Sequence, residues 1–397
     1  MKDKLLHIVG GGYNQVPLVK IAKELGLKIL VTDMYENPPC RIYADFYERI
    51  DTTDKEKTLL AAEKHQVDAV VTDQTDVAVP TVAYIAEELG LEGIGYETSL
   101  RFTNKYLMRE ALKKAIPKHI PDYHYFNTAE SAIDFCSQKQ MFEHFIVKPI
   151  NSQGSKGVYK LNTANDANVI SRAFVESKNR GILIEQFVEG FEYSVEGYKQ
   201  NEEYYNLAVT KKYHYKSNDC IDERNTYLGD IAPELEQSLF DLNKKVVQLL
   251  GLPFGITHAE YKMNDGKPYL MEIAARGGGG SISSKIIPYL TGFEPARALL
   301  YRIFKKKFKI EIEDYKKKFA VLKFFNLKPG KVKNIYYDRE ITKNLLEFNL
   351  EIKPGGMIKE IKDSRDRPGY FVVAETQRLH VIEKEKQVEA SLQIEYE

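Results

Sequence analysis

Apolar residues along this chain fall into two interleaved patterns. Short continuous runs, Leu5–Val9, Lys28–Thr32 and Ala69–Thr72, have the length and composition of buried strands. Between and after them lie stretches with helical spacing: Val16–Leu25, Lys55–His65 and Ala78–Leu89. Strands alternating with helices at this interval predict a doubly wound α/β unit built on a parallel sheet. From residue 103 the pattern turns to α+β. Thr103 is placed to cap a helix running through Lys113, with Leu107, Met108 and Leu112 on one face and Pro117 and Pro121 beyond its end. Phe145–Pro149 and Val158–Leu161 are predicted strands on either side of the small-residue loop Asn151–Gly157. Ile182–Val188 predicts a buried strand interrupted by Glu185, and an alternating strand opens at Glu192 after the Glu189-Gly190 turn. Near the C-terminus, strand-like runs Ala320–Leu327 and Tyr370–Ala374 lie among turns at Pro329-Gly330, Pro354-Gly355-Gly356 and Pro368-Gly369. They predict a small α+β lobe.

The densest chemistry lies between His258 and Gly280, HAEYKMNDGKPYLMEIAARGGGG. Thr257–Met263 and Pro268–Ala274 predict a β-hairpin around the turn signal Asn264-Asp265-Gly266. Cross-strand partners share a face, so a loop with an odd number of residues would set Glu260 opposite Glu272. Two carboxylates at that separation repel unless a cation sits between them. With no Cys or His among the ligands they suit a hard ion such as Mg²⁺, usually within a nucleotide-phosphate site. Arg276 and four successive glycines follow, a fixed positive charge beside backbone that can approach an anion closely. The alternative is an exposed hairpin with solvated glutamates and a flexible glycine turn.

Two other glycine-containing segments bear on the chemistry. Gly10-Gly11-Gly12 with Asp33 partly matches a dinucleotide fingerprint, but Gln15 stands where the third glycine should fall. The reading favoured here is a tight turn whose Gly11 and Gly12 amides lie near a smaller anion, such as a substrate carboxylate. Asn151–Gly157 lacks the order of a P-loop, yet Ser and Gly between two strands can wrap phosphate oxygens with backbone amides. Glu185 within its apolar strand needs a partner, which the amino group of adenine could supply.

Composition changes this picture little. The chain has 397 residues, enough for two or three domains, with 57 basic and 57 acidic side chains. That balance gives no global pull toward nucleic acid or anionic membranes. Lys305–Lys309 and Lys316–Lys318 concentrate basic charge near residue 310, as a solvated face or interdomain connector would. Cys40, Cys136 and Cys220 show no metal-ligand spacing, and an odd, sparse count fits reduced thiols in a cytoplasm. No signal-peptide-like run or stretch of about 18 apolar residues occurs, so a cytoplasmic location with no membrane partner is expected.

Taken in order, Asn104-Lys105, Lys148-Pro149 with its Ser/Gly loop, EQFVEGFE, HAEY and MEIAARGGGG resemble the ATP-grasp superfamily, in its carboxylate–amine ligase branch. The resemblance implies a Rossmann-like pre-ATP-grasp domain over residues 1–102. An ATP-grasp domain of two α+β subdomains, about 103–187 and 188–310, would follow, and then a C-terminal lobe over 311–397. It implies an ATP-dependent ligase joining a small-molecule carboxylate to an amine, with Mg²⁺ as the ion and Mn²⁺ able to replace it. By the same resemblance Lys105 and Lys148 contact the α- and β-phosphates, and Ser152, Gly154, Ser155 and Gly157 belong to a loop over the β- and γ-phosphates. Glu185 with the backbone of Gln186 and Val188 reads adenine, and Glu192 holds the ribose. Glu260 and Glu272 bind the metal, and Arg276 stabilises the transferring phosphate. Lys212, Glu223, His258, Gly277 and Gly278, with Gly11 and Gly12, are the acceptor-site candidates. A homodimer is the usual assembly for what the chain resembles. One position departs from the pattern: Ala274 stands where an asparagine usually supplies a ligand to a second metal ion. A nucleotide-binding regulator without turnover, and a nicotinamide-dependent oxidoreductase using Gly10–Gly12 and Asp33, are the competing readings.

Overall fold

The computed structural model describes residues 1–139, 145–161 and 166–397. Its first sheet holds β1 (Leu5–Val9), β2 (Lys28–Asp33), β3 (Phe46–Arg49) and β4 (Ala69–Val71), all parallel, in the order β3-β2-β1-β4. Every residue of β1 is buried, as a strand covered on both faces requires. Helices Val16–Glu24, Lys55–His65 and Val79–Glu88 pack on this sheet. The expected α/β unit is therefore present, and its strands send their C-terminal ends toward the middle of the molecule, where loops of such sheets carry function.

One residue of this sheet has a measurable consequence. His7 on β1 is fully buried, with Nε2 2.9 Å from Thr32 Oγ1 and Nδ1 without a partner. Burial, with His65 adding to it, lowers its pKa to about 3. The unfolded chain binds a proton there near pH 6.5 and the folded one does not, so this stabilisation is present above that pH and lost as pH falls toward 3. We expect His7→Gln to flatten the fall in unfolding free energy between pH 6.5 and 4 in urea titrations. Parallel curves for the two proteins would overturn the assignment.

The chain then builds β5 (Tyr123–Phe126), β6 (Phe145–Pro149), β7 (Tyr159–Leu161) and β8 (Ile182–Gln186), an antiparallel sheet in the order β5-β8-β6-β7. The helix that leads into it is Lys105–Leu112, capped by Asn104, whose side chain accepts from the amides of Tyr106 and Leu107. Thr103 is not the cap. Its hydroxyl instead donates to the Ser99 carbonyl at the end of the preceding helix.

The largest sheet has eight strands. β9 (Glu192–Gln200), β10 (Glu203–Tyr215), β11 (Asn218–Tyr227), β12 (Phe254–Asn264) and β13 (Lys267–Ala274) come first, followed by β14 (Phe319–Phe324). After β15 (Gly330–Tyr336) come β16 (Glu347–Leu350), β17 (Met357–Ile358), β18 (Gly369–Glu375) and β19 (Gln393–Tyr396). The order is β13-β12-β9-β10-β11-β14-β18-β16, with β17-β15-β19 a separate small sheet. The C-terminal lobe thus joins the central sheet through β11 and β14. Helix Pro233–Leu250, which the pattern analysis did not include, lies across this sheet. Its Leu239, Val246 and Leu250 are buried with Val195, Val209 and Tyr261, and Gly251 in the left-handed region (φ 76°) ends it. Among the described residues no helix is long and apolar enough to cross a membrane.

Candidate active site

The β12–β13 hairpin turns through two residues, Asp265 and Gly266, both with positive φ (48° and 72°), so Asn264 pairs with Lys267. Continued without interruption, that even loop would set Glu260 opposite Met271. A β-bulge between Glu260 and Tyr261 leaves Met271 unpaired and brings Glu260 opposite Glu272. The expected pairing is present, but an odd loop is not its cause. Arg109 holds the bulge in place, donating from Nη2 to the Met271 carbonyl at 2.8 Å.

Each carboxylate of the pair has an ammonium partner. Lys105 Nζ donates to Glu272 Oε1 at 2.9 Å and to the Ser152 carbonyl at 2.8 Å. Lys212, on β10, lies 2.6 Å from Glu192 and 2.7 Å from Glu260. Burial opposes the charge on Lys212, yet Glu192, Glu260 and Asp222 outweigh it and raise its pKa well above the usual lysine range. His258 stands between Glu196 and Glu260, with Nε2 3.4 Å from the latter. Burial would discharge its imidazole, but Glu196 chiefly raises its pKa to about 9. The like-charge repulsion of the glutamate pair is therefore balanced by Lys105, Lys212 and His258, and Lys212 with His258 holds the Glu260 carboxyl well below the usual carboxylate range against its burial.

Glu185 is fully buried and meets Arg109 Nε at 3.0 Å and Lys148 Nζ at 2.8 Å. Burial disfavours its charge, but Arg109 and Lys148 prevail and hold its pKa at about 2. Its expected partner, adenine, is replaced by these two side chains: Glu185 faces away from the cleft, while Gln186, Val188 and Glu192 line it. The Ser/Gly loop folds across the same space. Ser155 Oγ donates to the Cys220 carbonyl at 2.6 Å, and the Gly154 carbonyl accepts from the Ser364 amide at 3.2 Å. Gly157 has φ 74°, and a Cβ there would stand 2.8 Å from Pro149 and Glu176, so the loop needs glycine at that point.

Arg276 is half-buried and bidentate to Asp76, 3.0 Å from Nε to Oδ1 and 2.8 Å from Nη2 to Oδ2. Asp76 lies on the loop after β4, next to Asp73, whose Oδ1 accepts from the Gly277 amide at 2.8 Å. Neither aspartate was legible as a site residue in the sequence. Their position at the C-terminal end of a parallel strand is the signal that could have found them. Asp222 and Asn225 on β11 also line the cleft.

Several acceptor-site expectations fail. Glu223 points to the opposite face, 3.2 Å from Lys323, because register shifts between β10 and β11 put Asp222 rather than Glu223 on the side of Lys212. The Gly11 amide donates to Asp33 Oδ2 at 2.7 Å, and neither Gly11 nor Gly12 lines the cleft. Asp33 also accepts from the Tyr35 amide, so it serves its own turn rather than a ribose. Gly277 and Gly278 are packed beneath the cleft, where a Cβ on the former would collide with Ser283, and Gly279 and Gly280 form the wall instead. Lys212, His258 and Arg276 are brought together as expected, around adjoining cavities of about 1050 and 150 Å³.

Residues 141–285, which hold most of these side chains, match the family model described as the ATP-grasp domain. The chain carries an ATP-grasp domain. A 142-residue stretch, 34% of the chain, is 30% identical to dapdiamide A synthase of Enterobacter agglomerans and covers 34% of that protein. Formate-dependent phosphoribosylglycinamide formyltransferase of Prochlorococcus marinus is 25% identical over 206 residues, 50% of this chain and 51% of that one. The chain thus spans about a third to a half of the length of these curated relatives. Among solved structures, L-amino acid ligase from Bacillus licheniformis superposes over 100% of both chains with a TM-score of 0.83 at 21% identity, a likeness of fold. That likeness of fold runs the whole length of the chain, while the family match covers residues 141–285.

Proposed function

We propose that the chain is an ATP- and Mg²⁺-dependent ligase that joins a carboxylate to an amine through an acyl phosphate, releasing ADP and phosphate. The observation that carries this reading is the facing pair Glu260 and Glu272, with Lys105, Lys148 and Arg276 converging on one cleft. A carboxylate is a poor electrophile because oxide would have to leave. When its oxygen attacks the γ-phosphorus and ADP departs, the resulting acyl phosphate can be attacked at carbon by an amine, with phosphate as the leaving group. Such chemistry needs positioning and charge neutralisation more than a protein nucleophile.

The donor set fits a hard divalent ion. Glu260 and Glu272 offer carboxylate oxygens, each already engaged by a lysine ammonium, and no group of three or more His, Cys, Asp and Glu forms a metal cluster among the described residues. Further ligands would come from nucleotide phosphates and water. When bound, the ion neutralises phosphate charge. Lys105 and Lys148 would orient the α- and β-phosphates, loop 152–157 would exclude water, and Arg276 would meet charge on the transferring group. Adenine would be read by the backbone at Gln186 and Val188, and the ribose by Glu192. For the amine, Asp222 with the unpartnered buried acceptors Ser194 Oγ and Asn225 Oδ1 lines the larger cavity. Ala274 is buried opposite His258. We expect Ala274→Asn to keep nucleotide affinity within about threefold, under 1 kcal/mol, in titration with a fluorescent ATP analogue; loss of binding would show that this position serves another site.

The deciding experiment measures Mg²⁺-dependent ADP and phosphate release against pooled amino acids, other carboxylates and amines. Release only when one carboxylate and one amine are both present supports the ligase. ATP bound without release from any pool favours a nucleotide-binding regulator.

A further inference from the structure

We propose that Asp76 is a positioning residue that couples closure of loop 152–157 to the setting of Arg276. This rests on the role given to Arg276 in the ligase reading. Asp76 belongs to the N-terminal α/β unit, yet its bonds run to the two parts of the ATP-grasp domain that must act together. Its carboxylate holds the Arg276 guanidinium through two parallel bonds of 3.0 and 2.8 Å. Its backbone amide donates to Gln153 Oε1 at 2.8 Å, and Gln153 is the second residue of the loop. Three residues earlier, Asp73 fixes the Gly277 amide at 2.8 Å, and the Asp73 carbonyl accepts from Gln15 Nε2 at 2.5 Å, which anchors this segment to the turn after β1.

The geometry makes these contacts mutually dependent. Arg276 and Asp76 are both largely buried, with side chains 15% and 10% exposed, so neither has water as an easy substitute partner. A bidentate arginine–carboxylate pair also fixes the plane of the guanidinium, which a single bond does not. An open loop removes Gln153 from the Asp76 amide and loosens the segment that carries the carboxylate. A closed loop restores both. Arg276 is then held for transfer only when the loop covers the phosphates, so ATP is not cleaved into an open cleft.

The test uses the full chain and two readouts. The first is hydrogen exchange of peptides covering 152–158 and 275–279, in the presence of a non-hydrolysable ATP analogue. We expect Asp76→Ala to raise exchange at least tenfold in both peptides while the rest of the α/β unit is unchanged. Gln153→Ala should raise it in both as well, and the double variant should be no worse than Asp76→Ala alone. Exchange rising in 275–279 but not in 152–158, additive effects, or loosening of the whole α/β unit would overturn the proposal. The second readout is turnover with the carboxylate–amine pair that supports release. Asp76→Asn should lower kcat at least tenfold with the KM for ATP within twofold, and Asp76→Glu should recover part of kcat. Equal loss through KM would overturn the coupling. If no pair supports release, the ligase reading fails while the exchange result still decides the coupling.

Discussion

Glu272→Ala is expected to lower ATP-dependent phosphate release by at least about a thousandfold, about 4 kcal/mol of transition-state stabilisation, and to leave the fold intact. The two halves of this expectation have separate causes. Glu272 sits on β13, the outermost strand of the central sheet, with its side chain 26% exposed and Lys105 as its ion-pair partner. Removing it costs Lys105, whose side chain is 6% exposed, its carboxylate partner, but the ammonium keeps the Ser152 carbonyl and lines the open cleft. Function has no such substitute. Glu260 alone would leave the ion with half its protein ligands and without the carboxylate that reaches it from the opposite strand. Phosphate release and thermal unfolding measured on the same preparations check both halves. Undiminished release would sink the metal assignment, and a fall in Tm beyond about 5 °C would show Glu272 to be structural.

Glu185→Leu has the opposite signature. The side chains of Glu185 and Arg109 are 0% exposed, and Lys148 shares the same carboxylate. Taking the carboxylate away leaves a buried guanidinium uncompensated, which costs about 3–5 kcal/mol. Urea unfolding should show this loss in the midpoint with an unchanged slope. Adding Arg109→Met should recover part of the loss, because a buried ion pair replaced on both sides by apolar groups is often tolerated. Nucleotide affinity should not recover with it, since Arg109 also holds the Met271 carbonyl at the bulge that faces Glu272 toward Glu260. A loss under about 1 kcal/mol for the single variant would mean that the cluster is solvated in solution.

Local signals carried much of the fold. Buried parallel strands show as unbroken apolar runs, so Leu5–Val9 and helix Lys55–His65 were legible to the residue. The facing of Glu260 and Glu272 was legible for a related reason: alternation fixes which residues share a face, and Asn-Asp-Gly marks a turn. What alternation cannot show is a bulge. The same cause produced an accidental success at Glu260 and Glu272, where the loop parity was wrong and the pairing right, and a failure at Glu223, where shifted register turned the neighbouring Asp222 inward. Partners distant in sequence were illegible for another reason. Asp76 and Arg276 are 200 residues apart, and Glu185 satisfies itself with Arg109, so the buried carboxylate that sequence alone sends to adenine never faces the cleft.

The continuity of the eight-stranded sheet decides what can be removed from this protein. The helices and loops after residue 310 look separable along the chain, but β14 is hydrogen-bonded to β11 through Arg224–Tyr227, and Arg224 is clasped by Glu385 from the last helix. A chain cut after residue 310 would bare one side of β11 as a row of unpaired amides and carbonyls, beside buried Leu228 and Tyr227 newly open to water. Such a rim invites pairing with a second truncated molecule. The shortened chain would be expected to self-associate on a gel-filtration column, whereas the parent would not through this route. The C-terminal lobe therefore serves as a permanent seal on the sheet that bears Glu260 and Glu272, and it cannot be lost or exchanged in evolution without another strand taking its place.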